Sequence, residues 1–242
     1  MKITGLTDKG KIRDENQDAF VYGFLDDHTV FAAVFDGMGG ARSGKYASAL
    51  ASAGFETKIK ATDLDTLKRE PARTMSDIIK EINYEMYEQS CMHSELNGMG
   101  TTCVAALLIN GKGYVANVGD SRAYLIDRRR CTQVTVDHSL VQGLIDMGKL
   151  TAEQAKVHPH RNVITRALGT DSELNVDLFD IDVNNKKLLL CSDGLHGYFE
   201  PDKLQSVIMS VSDEDACEML TAEAISLGGR DNITSVIVSG IQ

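Results

Sequence analysis

Four aspartates in this chain each abut a strongly apolar run. Asp36 closes "AVFDG", Asp120 lies in "ANVGDS", Asp193 in "LLLCSDG", and Asp231 just precedes a strand-like run in "GGRDNITSVIV". One aspartate beside a glycine ordinarily marks a turn. Four of them demand more, because strand ends at one edge of a sheet converge, and carboxylates brought that close repel unless cations neutralise them. The donors are all oxygens, with no paired His or Cys, which selects hard ions such as Mg²⁺ or Mn²⁺ over Zn²⁺. The residues thus point to a carboxylate-lined site for hard divalent metals.

A competing signal overlaps the first aspartate. "VFDGMGGARSGKYAS" (34–48) nearly spells a phosphate-cradling P-loop, with Gly39, Gly44 and Lys45 at the required spacing. Tyr46 stands where a Ser or Thr would ligate magnesium, and a phenol is too long to replace that hydroxyl. Lys45 then reads as a solvated helix residue.

The elements that must position these groups follow from hydrophobic periodicity. Period-two or wholly apolar runs predict strands at "DAFVYGFL", "TVFAAVF", "TTCVAALLI", "GYVANV", "RAYLI", "TQVTV", "KKLLLC" and "ITSVIVSG". Short turns at Asp26-Asp27-His28, Asn110-Gly111-Lys112-Gly113 and Asp127-Arg128-Arg129-Arg130 require antiparallel neighbours, since a parallel crossover needs about a dozen residues. Helices are expected after Ser43, from a cap at Ser76 with Ile78, Ile79, Ile82 and Met86 on one stripe, and from Ser212 with Asp215 as a capping box. In the last, Ala216, Met219, Leu220, Ala224 and Leu227 form the apolar face and Gly228-Gly229 the stop. Antiparallel strands with separate amphipathic helices give an α+β domain of two packed sheets with helices outside. A P-loop fold would instead alternate strand and helix around a parallel sheet.

Bulk properties narrow the classes. The 242 residues, 43% hydrophobic and 25% charged, suffice for one large domain with a substantial core. A formal net charge of −10 argues against coating nucleic-acid phosphates. No apolar run approaches the ~20 residues that span a bilayer, and the polar N-terminus is unlike a signal peptide. The five cysteines form no C-x-x-C pair, as expected of reduced, mostly buried thiols in a cytoplasmic protein.

The motifs "RDENQD", "DGMGG", "GMGTT", "GDSRAY", "DHSLV", "RNVITRALG", "CSDGL" and "GGRDNIT", in this order from Arg13 to Thr234, resemble the metal-dependent protein phosphatase 2C family in its compact bacterial form. The resemblance implies a four-layer αββα sandwich of two mainly antiparallel sheets, a single domain over residues 1–242, and a flap over roughly 140–166. It implies that Asp36 bridges two Mn²⁺ or Mg²⁺ ions, that the Gly37 carbonyl binds one of them, and that Asp193 and Asp231 complete the shell of the other. Asp120, with Asp193, matches a more loosely held third ion. Asp18 matches an acid that orders ion-bound waters, although Gln17 precedes it where some relatives have Glu. Arg13 matches the residue that holds the substrate phosphate, and Asn232 supports Asp231.

Other motif residues are expected to be scaffold. Gly100, Thr101 and Thr102 permit close strand packing, Ser121 and Arg122 brace the Asp120 turn, and His138 and Ser139 cap or hydrogen-bond. His158 and His160 are flap surface residues. Met38 stands where some relatives carry a His proposed to protonate the leaving alcohol, so that step is in doubt here. The implied activity is hydrolysis of phosphoserine and phosphothreonine in proteins by a water bridging two ions, without a phosphoenzyme. Implied partners are phosphorylated proteins and a cognate Ser/Thr kinase, with no nucleic acid, no membrane and a monomeric state. A catalytically silent relative that only binds phosphoproteins or a kinase is the alternative; a P-loop NTPase is a distant third.

Overall fold

The computed structural model describes residues 1–39 and 43–241; Gly40, Ala41 and Arg42 of the glycine-rich stretch lie outside the described residues. Numbered along the chain, its strands are β1 (Lys2–Asp8), β2 (Asp18–Asp26), β3 (Thr29–Met38), β4 (Gly100–Thr101), β5 (Cys103–Ile109), β6 (Lys112–Val118), β7 (Arg122–Ile126), β8 (Cys131–Gln133), β9 (Asp177–Asp182), β10 (Lys187–Cys191) and β11 (Ile233–Ser239). The helices are α1 (Ser43–Ala61), α2 (Leu64–Arg69), α3 (Pro71–Met92), α4 (Leu140–Asp146), α5 (Ala152–Lys156), α6 (Asp193–His196), α7 (Pro201–Ser210) and α8 (Asp213–Ser226). One antiparallel sheet runs β2-β3-β5-β6-β9, with β4 beside the end of β3; the other runs β1-β11-β10-β7-β8.

Alternation along the strands builds the layers. In β3, Phe31, Ala33 and Phe35 point outward to α1 and α3, whereas Val30, Ala32 and Val34 face the other sheet. In β10 and β11, Leu189, Cys191, Ile233 and Ile237 pack under α7 and α8, whereas Leu188, Leu190, Val236 and Val238 meet the first sheet. Three apolar cores therefore fill the three interfaces of an αββα sandwich, as expected. The same parity carries a functional consequence. Asp36 continues the Val30-Ala32-Val34 face, Asp18 is its register partner, and Ser192 and Thr234 extend the facing side of the second sheet. Alternation alone thus directs four polar side chains into the end of the space between the sheets.

Several elements differ from the periodicity. Strands β1 and β9 were not expected; "KITGLTD" and "DLFDID" are edge strands whose glycine and aspartates leave no continuous apolar run. The run "TQVTV" is a strand only to Gln133, because the Thr135 hydroxyl takes the Ala123 N–H at 3.2 Å and so replaces a ladder bond. Ser76 lies inside α3 and is buried; that helix starts five residues earlier with Pro71 in its first turn, where the missing N–H costs nothing. In α8 the Ser212 cap holds, accepting from the Asp215 N–H at 3.2 Å. Its buried face is Ala216, Cys217, Leu220, Thr221 and Ala224, while Met219 and Leu227 are about half exposed.

The Phe55 ring of α1 touches both Phe31 and Phe35, at centroid separations of 6.3 and 6.2 Å, and is fully buried. Phe55→Ala should lower unfolding free energy by about 3–5 kcal/mol, whereas the exposed Met219→Ala should change it by less than about 0.5. Urea denaturation of the two variants checks this; equal effects would contradict the layer assignment.

Candidate active site

The backbone of Asp36 is clamped from β4 and the residue after it. Its N–H donates to the Thr102 hydroxyl at 2.9 Å, and its carbonyl accepts from the Thr101 hydroxyl and the Thr102 N–H, both at 2.9 Å. The Thr102 hydroxyl in turn meets Ser121 at 2.7 Å, tying the Asp36 turn to the Asp120 turn. The glycines after Asp36 and Asp193 admit close backbone approach. A Cβ on Gly37 would strike the Gly44 carbonyl at the start of α1 and the Gln17 carbonyl; one on Gly194 would strike the Asn232 carbonyl. Gly194 is what lets the Asp231 turn settle against Asp193.

Asp18 joins the two sheets. Its Oδ2 accepts from Ser192 at 2.8 Å and from Thr234 at 2.6 Å. Burial above all pushes its carboxyl up to about 7, with Asp193 and Asp231 adding repulsion against the two hydrogen bonds. Asp36 is raised well above the carboxylate range by burial and then by Asp18, Asp193, Asp120 and Asp231. Burial and the Asp231 charge raise Asp193 to about 6, although a hydrogen bond with the Asp36 carboxyl and the Arg13 charge work the other way. Burial and Asp193 raise Asp120 to about 8. The structure therefore brings Asp18, Asp36, Asp120, Asp193 and Asp231 within mutual electrostatic reach.

Arg13 stands at the mouth. Its guanidinium donates to Asp231 Oδ2 at 2.6 Å, with half of its side chain in solvent. Among the described residues it is the only cation ion-paired to these carboxylates. Asn232 donates its backbone N–H to Asp231 Oδ1 at 2.9 Å. Its side chain also pins the segment that carries Arg13, donating to the Lys9 and Glu15 carbonyls and accepting from the Gln17 N–H at 2.8 Å.

Two supports lay beyond the sequence reading. The neutral His196 imidazole donates from Nε2 to the Asp120 carbonyl at 3.0 Å, with burial pushing it down to about 3; its only sequence signal is its place three residues after Asp193. Ser192 and Thr234, the partners of Asp18, were visible only through strand parity. Of the expected scaffold residues, Arg122 forms a bidentate pair with Asp137 at 2.9 and 2.7 Å. His138 Nδ1 accepts from the Gly119 N–H at 3.0 Å, and Ser139 caps α4. A bridge between Ser139 and Ile164, with the Leu140 N–H donating to Val163 at 2.8 Å, closes the base of the 140–163 segment. Within it, His158 Nδ1 accepts from the His160 N–H at 3.2 Å. Away from the site, Lys45 is exposed, and the Tyr46 hydroxyl, also on the outer side of α1, meets Gln89 of α3 at 2.7 Å.

The donors fit hard cations. The buried Oδ1 atoms of Asp18 and Asp193 have no hydrogen-bond partner among the described residues. The side chains alone do not close into a cage: among the described residues no three carboxylate, imidazole or thiol groups are gathered tightly enough to hold an ion.

The chain matches the family model for protein phosphatase 2C over residues 5–142. It is 36% identical to the serine/threonine phosphatase stp of Listeria monocytogenes serotype 4b, covering 96% of this chain and 93% of that one. It is 34% identical to the protein phosphatase PhpP of Streptococcus pneumoniae, covering 99% and 97%. The crystal structure of the serine/threonine phosphatase Stp1 from Staphylococcus aureus superposes with a TM-score of 0.91 at 34% identity, covering 99% of this chain and 95% of that one. That of PstP/Ppp from Mycobacterium tuberculosis gives 0.88 at 30%, covering 98% and 97%.

The raised carboxyls set a pH dependence in ion-free buffer. The folded Asp18 holds its proton to about pH 7, whereas an unfolded aspartate releases it near 4, so the unfolded state binds fewer protons between them and stability falls as pH rises through that window. Asp18→Asn, which mimics the protonated form, should match the parent near pH 4 and exceed it at pH 8 by on the order of a few kcal/mol. Chelator-treated thermal melts across this range check the sign; a variant less stable than the parent at pH 8 would refute it.

Proposed function

This chain belongs to the protein phosphatase 2C family and is a protein-serine/threonine phosphatase, and we propose that it hydrolyses phosphoserine and phosphothreonine in proteins with two divalent ions of the Mn²⁺ or Mg²⁺ type. The observation that carries the metal reading is the set of half-buried aspartates at one end of the sheet–sheet interface, two of them with buried, unpartnered oxygens, beside a half-exposed arginine.

Asp36 and the Gly37 carbonyl would hold one ion, and Asp36, Asp193 and Asp231 the other; Asp120 with Asp193 would hold a weaker third. When bound, such ions lower the pKa of water for attack and neutralise charge on the phosphoryl oxygens. The chain's own work is positional. Thr101, Thr102 and Ser121 fix the Asp36 and Asp120 turns, and Ser192 and Thr234 fix Asp18. Asn232 anchors Asp231 together with the segment bearing Arg13. The Arg13 guanidinium, planar and half in solvent, can take a phosphate dianion through two parallel N–H donors. No side-chain nucleophile is required. Met38 carries no titratable proton, so protonation of the leaving alkoxide falls to water or to another group of the cleft rather than to that position. Five free cysteines are in keeping with a cytoplasmic site of action, opposite a Ser/Thr kinase with the same substrates.

Hydrolysis of p-nitrophenyl phosphate should require Mn²⁺ or Mg²⁺, stop with chelator and return with metal, and Asp36→Asn should reduce kcat by at least about 10²-fold. Full turnover in excess chelator, or a trapped phosphoenzyme, would overturn the reading. A wild-type protein inert with metal yet binding phosphoproteins would favour the silent relative.

Arg13→Ala should raise KM for a phosphopeptide by roughly tenfold or more while leaving calorimetric metal binding near the parent value. Lys45→Ala should leave both unchanged. A larger loss from Lys45 than from Arg13 would restore the P-loop.

A further inference from the structure

At the end of the sandwich opposite the carboxylates lies a groove of about 680 Å³, lined by Arg128, Arg129, Lys186 and Lys187 over an apolar floor that includes Met209 and Ile241. The β7–β10 ladder separates the two ends. Arg122 pairs with Cys191 beside the candidate active site, and Ile126 pairs with Lys187 beside the groove, four steps or ~13 Å away at ~3.3 Å per residue.

The cations here are built into the fold and left over from its ion pairs. Asp127 turns its Oδ1 onto the backbone N–H groups of Arg129 and Arg130, at 2.7 and 3.1 Å, which closes the β7–β8 turn and points the three arginines outward. Gln205 of α7 donates to the Asp127 and Arg128 carbonyls at 3.3 and 3.1 Å, locking the turn against the helix. Lys187 is held by Asp213 at 2.6 Å, and Lys186 lies 3.7 Å from Asp182. Asp182 and Asp213 are thereby engaged, and Asp127 is turned onto the backbone; among the described residues Arg128, Arg129 and Arg130 have no ion-pair partner, although Asp180 lies beside Arg130 in the adjoining cavity. In a chain of net charge −10, which repels acidic proteins at long range, this groove reverses the local field. Guanidiniums on a rigid turn suit carboxylates and phosphates, whose planar pairs of oxygens they bind two at a time.

We propose that this groove docks an acidic or phosphorylated segment of a protein substrate, at a distance from the phosphoserine or phosphothreonine being hydrolysed. The assignment of that segment to a substrate rests on the phosphatase reading; the anion site itself does not. An extended chain spans the ladder in about four residues, so the preferred substrates carry their acidic run at least that far from the scissile residue.

The test uses the full chain and its Arg128→Glu/Arg129→Glu variant, both substitutions being exposed. A fluorescein-labelled hexaglutamate peptide in chelator, read by anisotropy, should bind the parent in a strongly salt-dependent way and the variant at least about fivefold more weakly. With metal present, p-nitrophenyl phosphate kinetics should be unchanged in the variant. KM for a phosphopeptide bearing a distal acidic run should rise by a similar factor at constant kcat, and that for a peptide without the run should not move. Equal hexaglutamate binding by parent and variant, or binding by neither, overturns the proposal. So does parental binding to phosphatidylserine vesicles without binding to the peptide. Failure of the phosphatase reading would appear separately, as absent turnover with hexaglutamate binding intact.

Discussion

Asp18, Asp36, Asp120 and Asp193 lie half-buried and close together at the end of an apolar interface, where each charge loses much of its hydration and feels its neighbours. A chain free to relax would turn these side chains outward. They stay because the backbone beneath them is over-determined: strand parity points Asp18 and Asp36 inward, hydroxyls of Thr101, Thr102, Ser192 and Thr234 hold them or their backbone, and Gly37 and Gly194 admit neighbouring carbonyls that any larger residue would exclude. The free energy of three apolar cores offsets the cost of this one polar end.

The same repulsion gives the site its chemistry. Carboxylates that resist ionisation in isolation are strong ligands for a hard divalent cation, since the ion relieves both the desolvation and the mutual repulsion. Arg13 illustrates the pull: it is long, half in solvent and paired to Asp231, at the position from which a guanidinium can also meet an incoming phosphate. Most contacts behind the carboxylates are uncharged: His196 is held neutral by burial and hydroxyls supply many of the others. The Arg122 charge beside the Asp120 turn is balanced by Asp137, which leaves Arg13, among the described residues, as the one cation ion-paired to the cluster.

Charge is distributed along the sandwich axis, acidic at the candidate active site and basic at the β7–β8 turn. Both ends are organised by aspartates that accept hydrogen bonds, but with opposite results. Asp127 uses its carboxylate to shape a turn, as a lone aspartate commonly does. Asp18 and Asp193 at the other end each keep a buried oxygen with no hydrogen-bond partner among the described residues.

Much of this was legible in the residues. Apolar alternation located most central strands, because a strand buried on both faces must be apolar along its length. The four aspartates at strand ends were recognisable as a set because each sat against such a run, and the motif order carried Arg13, Asp18 and Asn232 with them. Edge strands β1 and β9 escaped, since half-exposed strands tolerate the glycine and aspartates that break the pattern. The start of α3 escaped as well, because a buried Ser76 within a helix looks the same in sequence as a cap. Residue types and their order along the chain thus determined the layers and the candidate ligating set. Only the tertiary structure decided that Ser192 and Thr234 meet at Asp18, that His196 reaches the Asp120 carbonyl, and that Arg13 lies over Asp231. Those contacts join residues as many as 218 positions apart, and their formation depends on how two sheets pack rather than on any local preference of the chain.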